Sequence, residues 1–337
     1  MSIGDTMSKL KNVVDERLKL RKTEKEKMAE RRALMTKEQL AYVKRKDAIE
    51  KIWPFFRFLI LFGLCFVILY PLIFMISCAF REQVDMNDPT VMWIPRHLTL
   101  DVIKETAQAI ELDKTLWNTV KLNIGCSLIQ VVTTSITGYG FARFKFKGKN
   151  IFFGIVILMI LVPPQVILLP QYDQFMSLKL INTAWTMYLP AMTANGLRAG
   201  LMIFIFIQFF KGLPKELEDA AYLDGCGPFK TFVTIMVPNA LSSFLTVFLF
   251  SVVWYWNDYY VCNSFFNTNK TLALMIKNIS TVLKGALFND ASLQVSTREL
   301  VVWTQAACLI SIAPMLIMYV FLQKHFTEGI ERSGLVG

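Results

Sequence analysis

Apolar residues along this 337-residue chain come in blocks separated by polar and charged stretches. A helix of about 20 apolar residues, rising 1.5 Å per residue, crosses a hydrocarbon core of about 30 Å. Six such blocks predict six membrane-crossing helices, at about 57–80, 119–142, 151–171, 184–209, 239–262 and 300–322. The first has no charged residue from Phe58 to Phe80. The second is weakly apolar but rich in Gly, Ser and Thr, small residues that let backbones approach closely, so it reads as a buried bundle helix. Pro163–Pro164 in the third block, and Pro190 and Gly196 in the fourth, predict kinked helices packed inside protein.

Composition agrees with the pattern. The chain is 54% hydrophobic and 18% charged, which excludes disorder, collagen, a small disulfide scaffold and a typical soluble enzyme. Its net charge of +10 raises the question of nucleic acid, and the placement of the cations answers it. The N-terminal 52 residues, segment 143–149, loop 210–238 and the tail together carry 24 Lys and Arg, against 9 in the intervening loops. The positive-inside rule then predicts both termini in the cytoplasm and an even number of spans in the cell membrane. The basicity encodes topology and needs no nucleic acid.

The N-terminal arm, residues 1–52, mixes charges of both signs with leucines such as Leu10, Leu18 and Leu34. It lacks the plan of a signal peptide and reads as a charged cytoplasmic helix near anionic headgroups. Six scattered cysteines without a CxxC pair predict neither a disulfide framework nor a metal site. No phosphate-binding glycine loop, dinucleotide fingerprint or HExxH motif occurs, so no catalytic residue and no cofactor is assigned.

Loop 211–240 carries the densest signal. Pro214 suits a first helical turn, and Glu216, Glu218 and Asp219 follow where the helix dipole favours anions. Gly225 supplies a stop, and Gly227–Pro228 opens a second helix running into the fifth span. Leu213, Leu217, Ala220, Ala221 and Asp224 are expected to share one shallow face. Two uses fit that face: docking a partner protein, or resting on lipid as an amphipathic helix.

Asp219-Ala220-Ala221, three residues, Gly225, nine residues and Ile235-x-Val237-Pro238 resemble the EAA loop of ABC-importer permeases. Over roughly residues 53–337 the chain is similar to carbohydrate-type permeases of the maltose kind. Tyr70-Pro71, Trp117-Asn118-Thr119, Tyr139-Gly140-Phe141-Ala142-Arg143, Pro163-Pro164-Gln165, Trp256-Asn257-Asp258 and Gln323-Lys324-His325-Phe326 carry the likeness. The family's loop usually has Glu where this chain has Asp219, and its tail commonly ends in Lys-Gly where this chain has Val336-Gly337. The resemblance implies an all-α polytopic protein with the six-helix type I importer permease fold. It implies partners as well: a second homologous permease, two cytoplasmic ATPase subunits that hydrolyse the ATP, and an extracytoplasmic solute-binding protein. Glu218, Asp219, Ala220, Ala221, Gly225, Ile235 and Pro238 become the residues coupling to the ATPase, with Gly334 and Gly337 as a tail contact.

Arg198 is the one ionisable residue deep in a predicted span, fourteen residues into the fourth. A cation there costs about 2.5–3.5 kcal/mol on insertion scales. It fits either a translocation path or a structural pair with a neighbouring helix. Residues 254–260, Trp-Tyr-Trp-Asn-Asp-Tyr-Tyr, fit an aromatic belt at the outer interface or a sugar-stacking platform. Asn257 and Asp258 are candidates for the outer mouth of the path. The expected function is an importer permease for an oligosaccharide. An ion-coupled carrier, which needs acids or a His relay at midspan, and a scaffold recruiting cytosolic proteins through the basic arm are the alternatives.

Overall fold

The computed structural model describes residues 35–287 and 296–334. The arm before residue 35, and Gly337, therefore lie outside the described residues. The chain divides into two compact units, Met1–Leu72 and Ile73–Gly337.

Within the first unit a single helix runs through the described residues. It belongs to α1, Lys37–Ala79. Gln39 reaches back to the Thr36 N–H at 3.1 Å, half of a capping box. The polar first turns carry an exposed Lys46–Glu50 pair at 3.9 Å. From Phe55 to Tyr70 the apolar side chains are exposed around the helix, as expected for a segment whose solvent is lipid.

In the second unit every named element is helical. After α2 (Gln83–Asn87) and α3 (Asp101–Ala109) comes the 32-residue α4 (Leu112–Arg143). Its buried stripe is mainly polar and small: Thr115, Thr119, Asn123, Ser127, Gln130, Thr134 and Gly138. These recur at helical spacing and face the rest of the bundle. The hydroxyls are satisfied locally, as where Thr119 donates to the Thr115 carbonyl at 2.7 Å. Gly138 lets the next layer come close, because a Cβ there would stand 2.5 Å from Phe206 Cβ.

Three predicted spans are broken. The third becomes α5 (Lys149–Leu161) and α6 (Pro164–Ser177), bent by 101°. Pro163 forces Val162 out of helical backbone, to ψ 121°, which ends the helix where a kink was expected. The fourth becomes α7 (Trp185–Met192) and α8 (Ala199–Gly212), separated by a segment with Ala194 and Arg198 at φ +56°. The helix that Gly227–Pro228 opens does not run straight into the fifth span: it is α10 (Pro228–Thr231), a π-helical turn (Phe232–Met236) and α11 (Val237–Asn239). It meets α12 (Leu241–Trp256) at 81°. Pro238 has no N–H to give, and the turn before it widens, with the Val237 N–H bonded to the Phe232 carbonyl.

Between α8 and α10 lies α9 (Glu216–Leu223). Beyond α12 come α13 (Tyr260–Phe265), α14 (Leu272–Lys277), α15 (Ile279–Leu287) and α16 (Thr297–Gly334). Among the described residues, α1 and the Thr297–Phe321 part of α16 are each long and apolar enough to cross a membrane. Counting each of the two bent pairs as one crossing brings that number to four. The main apolar clusters sit at opposite ends of α4. Ile110, Trp256, Leu272 and Trp303 gather near its start, and Phe206, Phe210, Phe232 and Met236 pack around Tyr139 near its end.

Candidate functional site

The loop helix α9 begins after the extended Leu213 and Pro214, so Pro214 precedes the helix instead of opening it. Its C-terminus is a Schellman motif. The Gly225 N–H bonds Tyr222 O at 3.0 Å, and the Cys226 N–H bonds Ala221 O at 2.9 Å. Gly225 itself lies at φ +76°, a conformation that favours glycine.

The expected shared alanine face is split. Ala221 and Glu218 are buried, while Asp219, Ala220 and Leu223 are exposed, Leu223 by 89%. Neighbouring helix positions point about 100° apart, so two adjacent alanines cannot both line one narrow contact. Glu218 is only 6% exposed and is held from α4. The Tyr139 hydroxyl donates to its Oε1 at 2.7 Å, and Arg143 Nε lies 3.1 Å from Oε2. That second contact is an ion pair without hydrogen-bond alignment. Arg143 Nη2 meanwhile donates to the Leu213 carbonyl at 2.7 Å. Ile235 is half-buried and Pro238 exposed.

In the sequence Tyr139 and Arg143 carry only the family likeness and, for Arg143, a cytoplasmic charge, although they stand four residues apart at the end of one helix. A cation and a phenol on one turn are a legible request for a carboxylate.

At the broken fourth span the chain is stitched from the side. Gln130 Nε2 donates to Leu197 O at 2.7 Å, and Tyr255 Oη donates to Gln130 Oε1 at 2.5 Å. Tyr255 Oη also accepts the Leu197 N–H at 3.2 Å. Thr133 donates to Ala191 O at 2.7 Å. Beside this break lies a cavity of about 310 Å³, lined by Leu158, Pro164, Gln171, Asn195, Arg198 and Tyr255 among others.

Arg198 is thus an exposed residue in left-handed backbone ahead of α8, and not a mid-helix residue. The aromatic run is also repositioned. Tyr255 is buried, and buried Trp256 donates to Ser311 O at 3.2 Å, so these two rings serve the interior and not a belt. Exposed Asn257 bonds its own helix at Val253 O. Asp258 Oδ2 accepts the Cys262 N–H at 3.0 Å, tying the start of α13. The backbone of α16 continues to Gly334.

Residues 131–332 match the family of binding-protein-dependent transport system inner membrane components. The arabinooligosaccharides transport system permease protein AraQ of Halalkalibacterium halodurans is 28% identical over 81% of this chain and 93% of its own. The polygalacturonan/rhamnogalacturonan transport system permease protein YtcP of Bacillus subtilis is 26% identical over 81% and 93%. The crystal structure of a bacterial ABC transporter involved in the import of the acidic polysaccharide alginate includes a chain with the same fold. It superposes with a TM-score of 0.65 at 19% identity, over 82% of this chain and 97% of that one. With more than half its length inside the family's bounds, this chain belongs to the binding-protein-dependent transport system inner membrane components.

Proposed function

We propose that the chain is the permease subunit of an ATP-driven importer for oligosaccharides. In this reading it crosses the cell membrane six times with both termini in the cytoplasm. The broken α5–α6 and α7–α8 segments pack as crossings within a dimer made with a second, homologous permease. Two ATPase subunits sit beneath that dimer, and a solute-binding protein docks outside it. The substrate class follows the relatives named for arabinooligosaccharides and for polygalacturonan.

One observation carries the coupling assignment: α9 is fixed to the bundle by one face and bare on the other. Asp219 and Ala220 then meet the ATPase, with Leu223 beside them. Glu218, Ala221, Gly225, Ile235 and Pro238 hold the shape that presents them. The tail around Gly334 and Gly337 provides a second contact. Closure of the ATPases would rock the bundle between inward- and outward-facing states, which requires ATP to bind one state more tightly than the other. Arg198 would stand on the path wall beside the cavity, with Asn257 and Asp258 near its outer mouth.

Affinity purification of the tagged chain from its native membrane tests the assembly. An ATPase recovered at equal stoichiometry supports the reading, and its absence sinks it. A ligand screen on the co-recovered binding protein then tests the substrate class, and a panel of arabino- and galacturono-oligosaccharides that leaves it unbound refutes the oligosaccharide assignment.

A further inference from the structure

We infer that Tyr139 and Arg143 are positioning residues that brace α9 against α4 and α8, so that the three helices move as one body and carry ATPase movement to the cavity wall. The inference rests on the coupling reading proposed above.

An eight-residue helix is too short to persist by its own backbone bonds. The covalent link from α8 to α9 is only Leu213, which is extended, then Pro214 and Lys215, a joint able to hinge. Left so, α9 could tilt under the ATPase and leave α8 unmoved. Arg143 acts at that joint, with one guanidinium nitrogen on the Leu213 carbonyl and another beside Glu218. Tyr139 cannot swing aside, because its ring packs on Phe210 at 5.5 Å and on Phe232 at 4.9 Å. Burying a carboxylate is costly unless it is paired, and here both partners lie on the last turn of one helix, α4.

That helix is unbroken and bonds a residue of the cavity wall. Gln130 stands nine residues before Tyr139, about 13 Å along the axis, and there bonds Leu197, the neighbour of Arg198. Gly138 sets α4 against Phe206 of α8 between those two points. The loop and the cavity wall are therefore joined by packed, hydrogen-bonded structure, with the hinge at Leu213 braced.

The test uses the purified complex with its ATPase subunits in lipid nanodiscs. Asn195→Cys, on the cavity wall, serves as reporter. Its reaction rate with a hydrophilic maleimide is read by peptide mass spectrometry, with and without trapping by ATP and vanadate. Trapping should change that rate when the brace is intact. Glu218→Gln and Tyr139→Phe should shrink the change ~10-fold, the scale of one lost hydrogen bond to a charged group, with the ATPase still bound. A full nucleotide response in both variants overturns the brace. Loss of the ATPase from Tyr139→Phe, which removes only a buried hydroxyl, also overturns it by making the residue a docking determinant. If the reporter ignores nucleotide before any brace residue is changed, the coupling reading itself fails. The two failures are thus told apart.

Discussion

The Tyr139 hydroxyl and the Glu218 carboxylate, 79 positions apart in sequence, meet at 2.7 Å inside the protein. Their contact turns one acid of an acidic loop inward while its neighbour Asp219 stays in the open. Arg143 completes the neutralisation, with both side chains of the ion pair under a tenth exposed. Arg143→Leu would leave a buried carboxylate without its cation, a loss of about 3–5 kcal/mol. Thermal unfolding in detergent should show the lowered midpoint, and Glu218→Leu combined with Arg143→Leu should recover much of it. A double variant no more stable than the single one would contradict the pairing.

Gly225 holds the end of α9 at φ +76° with open space where a Cβ would lie. A substitution there is penalised by backbone conformation alone. Gly225→Val should lose about 1–2 kcal/mol and disorder the loop, whereas Gly225→Asn, which tolerates left-handed backbone, should lose less. Equal unfolding midpoints for the two variants would refute the explanation.

Gly138 and Gly140 sit two residues apart on α4 in opposite surroundings. A Cβ on Gly138 would press on Phe206, and one on Gly140 meets nothing within 4 Å. Gly138→Leu should destabilise by about 1–3 kcal/mol through overpacking, with Gly140→Leu near neutral. Comparable losses from the two substitutions would show that the α4–α8 approach is not what limits this helix.

Arg198 combines exposure, a place on the cavity wall and left-handed backbone. Two substitutions separate its side chain from its backbone strain. Arg198→Leu should cut solute uptake while the complex still assembles. Arg198→Gly should also cut uptake yet gain about 1 kcal/mol of stability by relieving the strain. Uptake unchanged in Arg198→Leu removes the residue from the path.

Asp85 is the hub of the segment between Arg81 and Leu98. It is buried and accepts the His97 N–H at 2.8 Å and the Arg96 N–H at 2.7 Å, with His97 Nδ1 3.0 Å away. These contacts, the His97 backbone N–H foremost, hold its carboxyl below the ordinary aspartate value. A depressed folded pKa contributes stability above the unfolded value of about 3.9, and the contribution is lost as pH falls through the lower folded value. Hydrogen exchange over residues 82–98, corrected for intrinsic rates, should therefore stay protected from neutral pH to about pH 4 and rise below it. Asp85→Asn should abolish that step, and an identical step in the variant would place the titration elsewhere.

Much of this protein is decided by its sequence. The apolar blocks, the glycine at the end of α9 and the proline breaks follow from local chemistry: hydration of the backbone, the missing Cβ of Gly225, the missing N–H of Pro163 and Pro238. The motif spacing around Asp219–Gly225 is local in the same sense, and it pointed to the family to which the chain belongs. The tertiary structure alone decided which way those local pieces face. Periodicity put Ala220 and Ala221 together, but burial of Glu218 fixed the rotation of α9 and parted them. The aromatic run at 254–260 reads as interfacial by composition, yet Tyr255 went inside because Gln130, far away in sequence, needed its hydroxyl. Arg198 reads as a charge in mid-helix, yet the chain breaks ahead of it, in a segment held by Gln130 and Tyr255. In each case the missing information was the partner of a buried polar group. A carboxylate or amide removed from water must be paired, and the sequence states that need without naming the residue that meets it.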